Sequence, residues 1–326
     1  MHSGFGLIIS LGLVSAMGAG AGSFSVLIGA AAQRLPADAR GAASGVINAG
    51  GSFGQFVFAP LSQRLIQTIG WMGAMWTLAA ITLAALPLIA SLTRARPANP
   101  ASSPITDNTN NAKNNNNAIA ANVPGPQTLK QAVSQALREP SYLLLHLGFF
   151  TCGFHIAFLV THLPSEVNLC GLSAPVASWS LAIIGLANIV GSLLAGSWVN
   201  RYRSKYVLAL MYGSRALLVG VYLLAPKTEL TFYLFAIGLG LTWLATVPPT
   251  AAIVGKLFGI RYLATLFGLT LLSHQIGGFL GAYLGGLALS HFGDYQWMWY
   301  ADMALALLAA IINLPIREAP IVAIKA

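Results

Sequence analysis

Along this chain, long uncharged apolar runs alternate with short polar joints. Residues 1–33, 41–63, 65–93, 140–165, 167–200, 230–255 and 262–293 contain no Asp, Glu, Lys or Arg. A helix needs about 20 apolar residues to cross the hydrocarbon of a bilayer, and in lipid only helices or closed barrels satisfy every backbone group. The runs are too long and continuous for barrel strands, which alternate over about 10 residues. The pattern predicts an all-α, polytopic transmembrane bundle. Its spans fall near 5–32, 41–66, 70–92, 141–163, 174–199, 206–225, 230–255, 263–290 and 295–315.

Residues 93–126 break the pattern with Arg94, Arg96 and the tract TDNTNNAKNNNN. Such a segment has no apolar face to bury and reads as a disordered linker. Beyond it, Leu129, Val133 and Leu137 recur every fourth residue, which predicts an interfacial amphipathic helix over 127–138. The expected organisation is three spans in 1–92, the linker, the interfacial helix, six spans in 139–316 and a tail over 317–326.

Composition agrees with a lipid solvent. Hydrophobic residues make up 56% and charged residues 8%, against about a quarter charged in soluble domains. Loops on the cytoplasmic side of membrane proteins collect Lys and Arg. Fourteen of the 17 basic residues fall on one side of the predicted spans, Arg64 and Lys227 on the other, and Arg215 within a span. That asymmetry accounts for the net charge of +9 without a nucleic-acid partner. It puts the Asn-rich linker and the C-terminus in the cytoplasm of a cell bounded by this membrane. Cys152 and Cys170 give neither a disulfide framework nor metal spacing, and no cofactor motif occurs. The first apolar run lacks a basic leader and exceeds signal-peptide length, so it reads as a span.

A shift of 223 residues lays spans two and three on spans eight and nine. Gly45 then falls on Gly268, Gly54 on Gly277, Phe56 on Phe279, Gly70 on Gly293, and Met75-Trp76 on Met298-Trp299, without a gap. A parallel repeat of this kind marks transporters built from two similar halves around a central site. The same shift carries residues 141–225 to positions before Met1, so the repeat predicts three further helices of a twelve-span protein, with nine present.

Several stretches carry a family resemblance. ARGAASGVINAGGSFGQFVFAPL (39–61) resembles the fifth helix, and GLVSAMGAGAGSFSVLIGAAAQRLP (12–36) the fourth, of the major facilitator superfamily in its monocarboxylate-transporter and oxalate/formate-antiporter-like branch. LREPSYLLLHLGFF (137–150) is similar to the entry to helix seven. GSWVNRYRSK (196–205) resembles the loop motif Gly-x-x-x-Asp-Arg-x-Gly-Arg-Lys, matched by Gly196, Arg201 and Lys205, with Asn200 in the Asp position and Arg203 in place of the second Gly. The resemblance implies that the nine spans correspond to helices 4–12. It implies a central cavity lined by helices 4, 5, 7, 8, 10 and 11, and secondary active transport of a small solute such as a monocarboxylate by alternating access. It also implies that Gly196, Asn200, Arg201 and Lys205 belong to a conformational latch. The branch usually places a substrate arginine in helix eight, and 174–199 has none.

Ionisable groups inside a membrane are costly and often functional. His155 and His274, with Gln275 beside the latter, lie near the middle of spans four and eight; they bind substrate or a coupling proton, or they bond a neighbouring helix. Asn48 and Asn188, amides in two of the cavity spans, are further candidates to bind substrate. Arg215 either holds an anion, pairs structurally or snorkels. Asp302 is the one embedded carboxylate visible in the pattern and is expected toward the outer face. Pro248-Pro249 and Pro60 remove helix donors and mark a gating hinge or a tolerated kink. Gly41/Gly45, Gly50/Gly54 and Gly277/Gly281/Gly285 form small-residue stripes for close helix packing. An enzyme needs an acid–base pair, a metal cluster or an activated nucleophile; no such spacing occurs, so the chain is expected not to be one. The remaining alternative is a non-transporting remnant of a transporter.

Overall fold

The computed structural model describes residues 23–84 and 128–320, and among them every element is helical. The elements are α1 (Phe24–Arg34), α2 (Ala37–Ala84), α3 (Leu129–Ala136), α4 (Pro140–Leu169) and α5 (Ala174–Trp198). Then follow α6 (Ser204–Leu224), α7 (Glu229–Thr242), α8 (Val247–Phe258), α9 (Leu263–Phe292) and α10 (Gln296–Asn313). Most of the expected span 5–32, the end of span 70–92, the linker 93–126 and the last residues of the tail lie outside the described residues. Six stretches among those described are long and apolar enough to span a bilayer: α2, α4, α5, α6, α9, and α7–α8 taken together. At 18 residues α10 is about 27 Å long, slightly short of a 30 Å hydrocarbon core.

Two boundaries differ from the sequence reading. Spans 41–66 and 70–92 are joined without a loop, because the chain turns at Gly70, whose φ of 72° and ψ of 170° suit only glycine. The repeat partner Gly293, φ 75°, likewise sits between two helices, closing α9 before α10. Span 230–255 is divided between α7 and α8, for reasons given below. The interfacial helix begins with a reciprocal cap in which Thr128 Oγ1 accepts from Gln131 N–H and the Gln131 side chain accepts from Thr128 N–H. It buries Ala132 and Ala136 against the protein, packs Val133 on the core, and leaves Leu129 and Leu137 exposed.

The chain falls into two units, one made of residues up to 59 with those from 124 onward, the other of 60–123. Within 60–84 the large apolar side chains Ile66, Ile69, Trp71, Met75 and Trp76 are exposed. In the larger unit, glycine sets how closely the helices approach. A Cβ on Gly277 or Gly281 would overlap the Phe150 or Phe154 carbonyl of α4, and one on Gly153 would overlap the His274 carbonyl of α9. Helices in lipid gain no hydrophobic drive toward one another and rely on such close packing. On α2, a Cβ at Gly41 would sit 2.6 Å from Gly196 O and one at Gly45 2.7 Å from Ser192 O, so α2 lies backbone to backbone on α5. Gly240 does the same for α7, with its Cβ position 2.7 Å from Ile184 O.

The α4–α9 contact gives a direct test. Gly277→Ala lowers stability by about 1–3 kcal/mol through overpacking against backbone, whereas Gly286→Ala, on the same helix with open space around it, is close to neutral. Thermal unfolding of both variants in detergent reads the difference.

Candidate functional site at the α7–α8 break

Pro248 and Pro249 cannot donate to the carbonyls of Leu244 and Ala245, and their rings clash one turn back. The helix therefore stops at Thr242 and restarts at Val247, with both prolines in the first turn of α8, where the missing donors cost least. The break leaves the Thr242 and Trp243 carbonyls and the Leu244 N–H without helical partners, and the Leu244 carbonyl with only the Val247 N–H at 3.0 Å. Away from water each such group costs about 1–3 kcal/mol unless it is bonded.

Side chains from three other helices meet them. Asn48 of α2 donates its Nδ2 to Leu244 O at 2.6 Å and to Ser192 Oγ at 2.8 Å. Asn188 of α5 accepts from Leu244 N–H at 2.9 Å and donates to Ser52 Oγ at 2.5 Å. Leu244 thus has its N–H and its C=O held by two different asparagines. Arg215 of α6 donates to the carbonyls of Thr242 and Trp243 and, at 3.4 Å, to Cys152 Sγ of α4. Its guanidinium, wholly buried, sits at the negative end of α7, where carbonyls and helix dipole favour a cation. Cys152 Sγ also meets Thr246 Oγ1 at 3.4 Å.

Asn48, Asn188, Arg215 and the proline pair, far apart in the chain, are therefore gathered at one break, and their donors are engaged by protein. Asn48 Oδ1 remains buried without a partner among the described residues. His155 lies beside this cluster, its ring 5.8 Å from the Trp243 ring and its Nδ1 2.5 Å from Asp302 Oδ2. His155 is 1% exposed and Asp302 0%, so Asp302 is an interior partner of α4. His274 of α9 joins the edge of this group beside Cys152; it also bonds Gln275 at 3.3 Å, and its ring packs 5.2 Å from Phe149.

Glu166 is a second buried carboxylate, which the sequence pattern did not single out. It accepts from Tyr222 OH at 2.6 Å and Trp299 Nε1 at 3.2 Å. Its signal was hidden because span four was expected to end at 163, whereas α4 continues through Pro164 to Leu169.

At the basic end, Asn200 Nδ2 donates to Asp38 O at 2.6 Å, and Gly196 is the point of closest approach to Gly41. Arg201 is exposed. Lys205 donates its Nζ to Leu314 O at 2.7 Å and its N–H to Glu318 Oε1 at 2.8 Å, while Lys256 Nζ reaches Glu318 Oε2 at 2.8 Å. One carboxylate after α10 thereby clamps the first turn of α6 to the last turn of α8. Among the described residues there is no cluster of metal-ligating side chains.

A bundle of long apolar helices whose interior polar groups pair across helices defines a multi-pass membrane protein. The sequence model of the Major Facilitator Superfamily matches residues 1–243 and again 170–326, and the chain belongs to that superfamily of membrane transporters. It is 26% identical over 293 residues to monocarboxylate transporter 13 of Bos taurus, covering 89% of this chain and 62% of that protein. It is 22% identical to the MFS transporter asaE of Aspergillus flavus, over 90% of this chain and 61% of the relative. To the MFS-type transporter YcxA of Bacillus subtilis it is 27% identical over 52% of this chain and 43% of the relative. The chain thus spans less than two thirds of each of these proteins.

Two outcomes follow from the site. Arg215→Leu leaves the Thr242 and Trp243 carbonyls unmet and lowers thermal stability by roughly 2–4 kcal/mol; Arg215→Lys, which keeps a cation at the helix end, loses less. For Glu318, burial pushes the carboxyl up, but the Lys205 N–H and the Lys256 ammonium outweigh it and hold the group below its ordinary value of 4.5. A depressed acid contributes fully above its ordinary value and loses that contribution as pH falls through the folded one. Protection of the amides over 314–320, taken relative to their intrinsic exchange rate at each pH, is expected to hold above pH 4.5 and to fall below it, and Glu318→Gln is expected to show the lower protection already at neutral pH.

Proposed function

We propose that this protein is a secondary active transporter working by alternating access, with the α7–α8 break as its hinge. The observation that carries the reading is the pinning of Leu244 by Asn48 and Asn188. A helix interruption held by side chains of two other helices is an element with two discrete arrangements, because the same amides can release backbone to a solute and take it back. Asn48 Oδ1, buried and unpartnered, is the group open to a solute at that point.

The solute is a small monocarboxylate, in keeping with the name of the bovine relative and with an arginine as the one cation among the described residues buried at the break. The coupling ion is a proton, and its seat is the His155–Asp302 pair. Nδ1 and Oδ2 lie at hydrogen-bond distance, 2.5 Å, while His155 Nε2 and Asp302 Oδ1 have no partner among the described residues. Arg215 and Cys152 meet this pair through Trp243. The membrane is the cell's own, with the basic end cytoplasmic. His274 and Gln275 line the route on α9, and Gly196, Asn200, Arg201 and Lys205 close the cytoplasmic side.

Uptake of a labelled monocarboxylate panel by the reconstituted chain tests this. Accumulation driven by an inward proton gradient is expected, with Asn188→Ala at most a tenth as fast. Asp302→Asn is expected to lose the response to the gradient while keeping solute exchange. Folded protein that moves none of the panel faster than empty liposomes, or an Asp302→Asn variant with full gradient dependence, overturns the reading.

A further inference from the structure

At the basic end a cavity of about 240 Å³ lies between α1, α2, α5, α8 and the start of α9. That is room for a molecule the size of several waters, each of which takes about 30 Å³ in the liquid. Its walls are apolar for the most part, with Ile28 and Ala251 among them, and its polar members include Arg40, Ser44, Asn200 and Lys256.

Two of these groups are unspent. Ser44 is 4% exposed, and its Oγ has no partner among the described residues, although a buried hydroxyl ordinarily finds one. Arg40 uses its Nε on Leu35 O at 3.1 Å, and among the described residues no carboxylate lies within 4.0 Å of it. Lys256 is already neutralised by Glu318 and bonded to Ser204 Oγ. The cavity therefore holds one uncompensated cation, one free hydroxyl and an apolar remainder.

We propose that this cavity is a second binding site, at the cytoplasmic mouth, for a small organic monoanion. The Arg40 guanidinium and Ser44 Oγ hold its carboxylate, and the apolar wall takes its body. A planar guanidinium suits a carboxylate, and a single free cation selects one negative charge rather than two. Ser44 lies one helical turn before Asn48 on the same face of α2, so the mouth leads toward the free Oδ1 at the hinge. The proposal rests on the transport reading for its purpose but not for its test.

Saturation-transfer NMR titrations on the purified chain use butyrate, its neutral isostere butyramide, and the dianion succinate. Saturable binding of butyrate is expected, with butyramide and succinate roughly tenfold weaker or more. Arg40→Gln is expected to weaken butyrate by a similar factor and Arg40→Lys by less. Ser44→Ala, which removes one hydroxyl from a cavity wall and keeps the fold, is expected to weaken it several-fold. Equal binding of butyrate and butyramide, or butyrate binding indifferent to both Arg40→Gln and Ser44→Ala at unchanged thermal midpoint, overturns the site. Failed uptake with intact butyrate selectivity would overturn the transport reading and leave this one standing.

Discussion

The structure depends on the cost of an unbonded peptide group where no water can reach it. Pro248 and Pro249 interrupt a helix in the middle of an apolar bundle and set free the backbone around Thr242, Trp243 and Leu244. In water the solvent would absorb such a break. In lipid the protein has to supply every partner itself. It does so with Asn48 from α2, Asn188 from α5 and Arg215 from α6, so one interruption ties three other helices to it.

Those bonds require short distances, and glycine provides them. Gly41 and Gly45 bring α2 onto Gly196 and Ser192 of α5, and Gly240 brings α7 onto the Ile184 carbonyl. Only at that separation can a side chain as short as asparagine or serine reach across. The same economy holds elsewhere in the bundle, where Asp302 answers His155 and Glu166 answers Tyr222 and Trp299. These embedded polar groups find partners on other helices, so the apolar helices acquire a fixed register that packing of alkyl chains alone would leave loose.

Much of this was legible in the linear pattern, for definite reasons. A charge-free run of membrane length has few alternatives, so among the described residues the helices follow the runs, apart from the junction at Gly70 and the break within 230–255. Gly70 and Gly293, matched by the repeat, both prove to be helix junctions at positive φ, since the requirement is local to one residue. The proline pair marked its break because the missing N–H is a property of the residue itself. Less legible were partnerships. Asp302 stood out as an embedded carboxylate, but nothing in the linear pattern named His155 as the group it is buried against. Glu166 went unseen because α4 tolerates Pro164 and runs on to Leu169. Arg215 was placed within a span, but nothing in its neighbours says that its guanidinium would cap the end of the next helix.

The sequence by itself determined the solvent, the helical class, the glycine junctions at 70 and 293 and the residues at which backbone donors or side chains were lacking, because hydropathy and φ preference act over a few residues. Tertiary structure alone decided which side chain answers which exposed carbonyl, which carboxylate meets which histidine, and which cation stays free beside a cavity. Those outcomes turn on distances of a few ångströms between residues up to about two hundred positions apart, such as Asn48 and Leu244, and a hydrogen bond is lost when that distance grows by one.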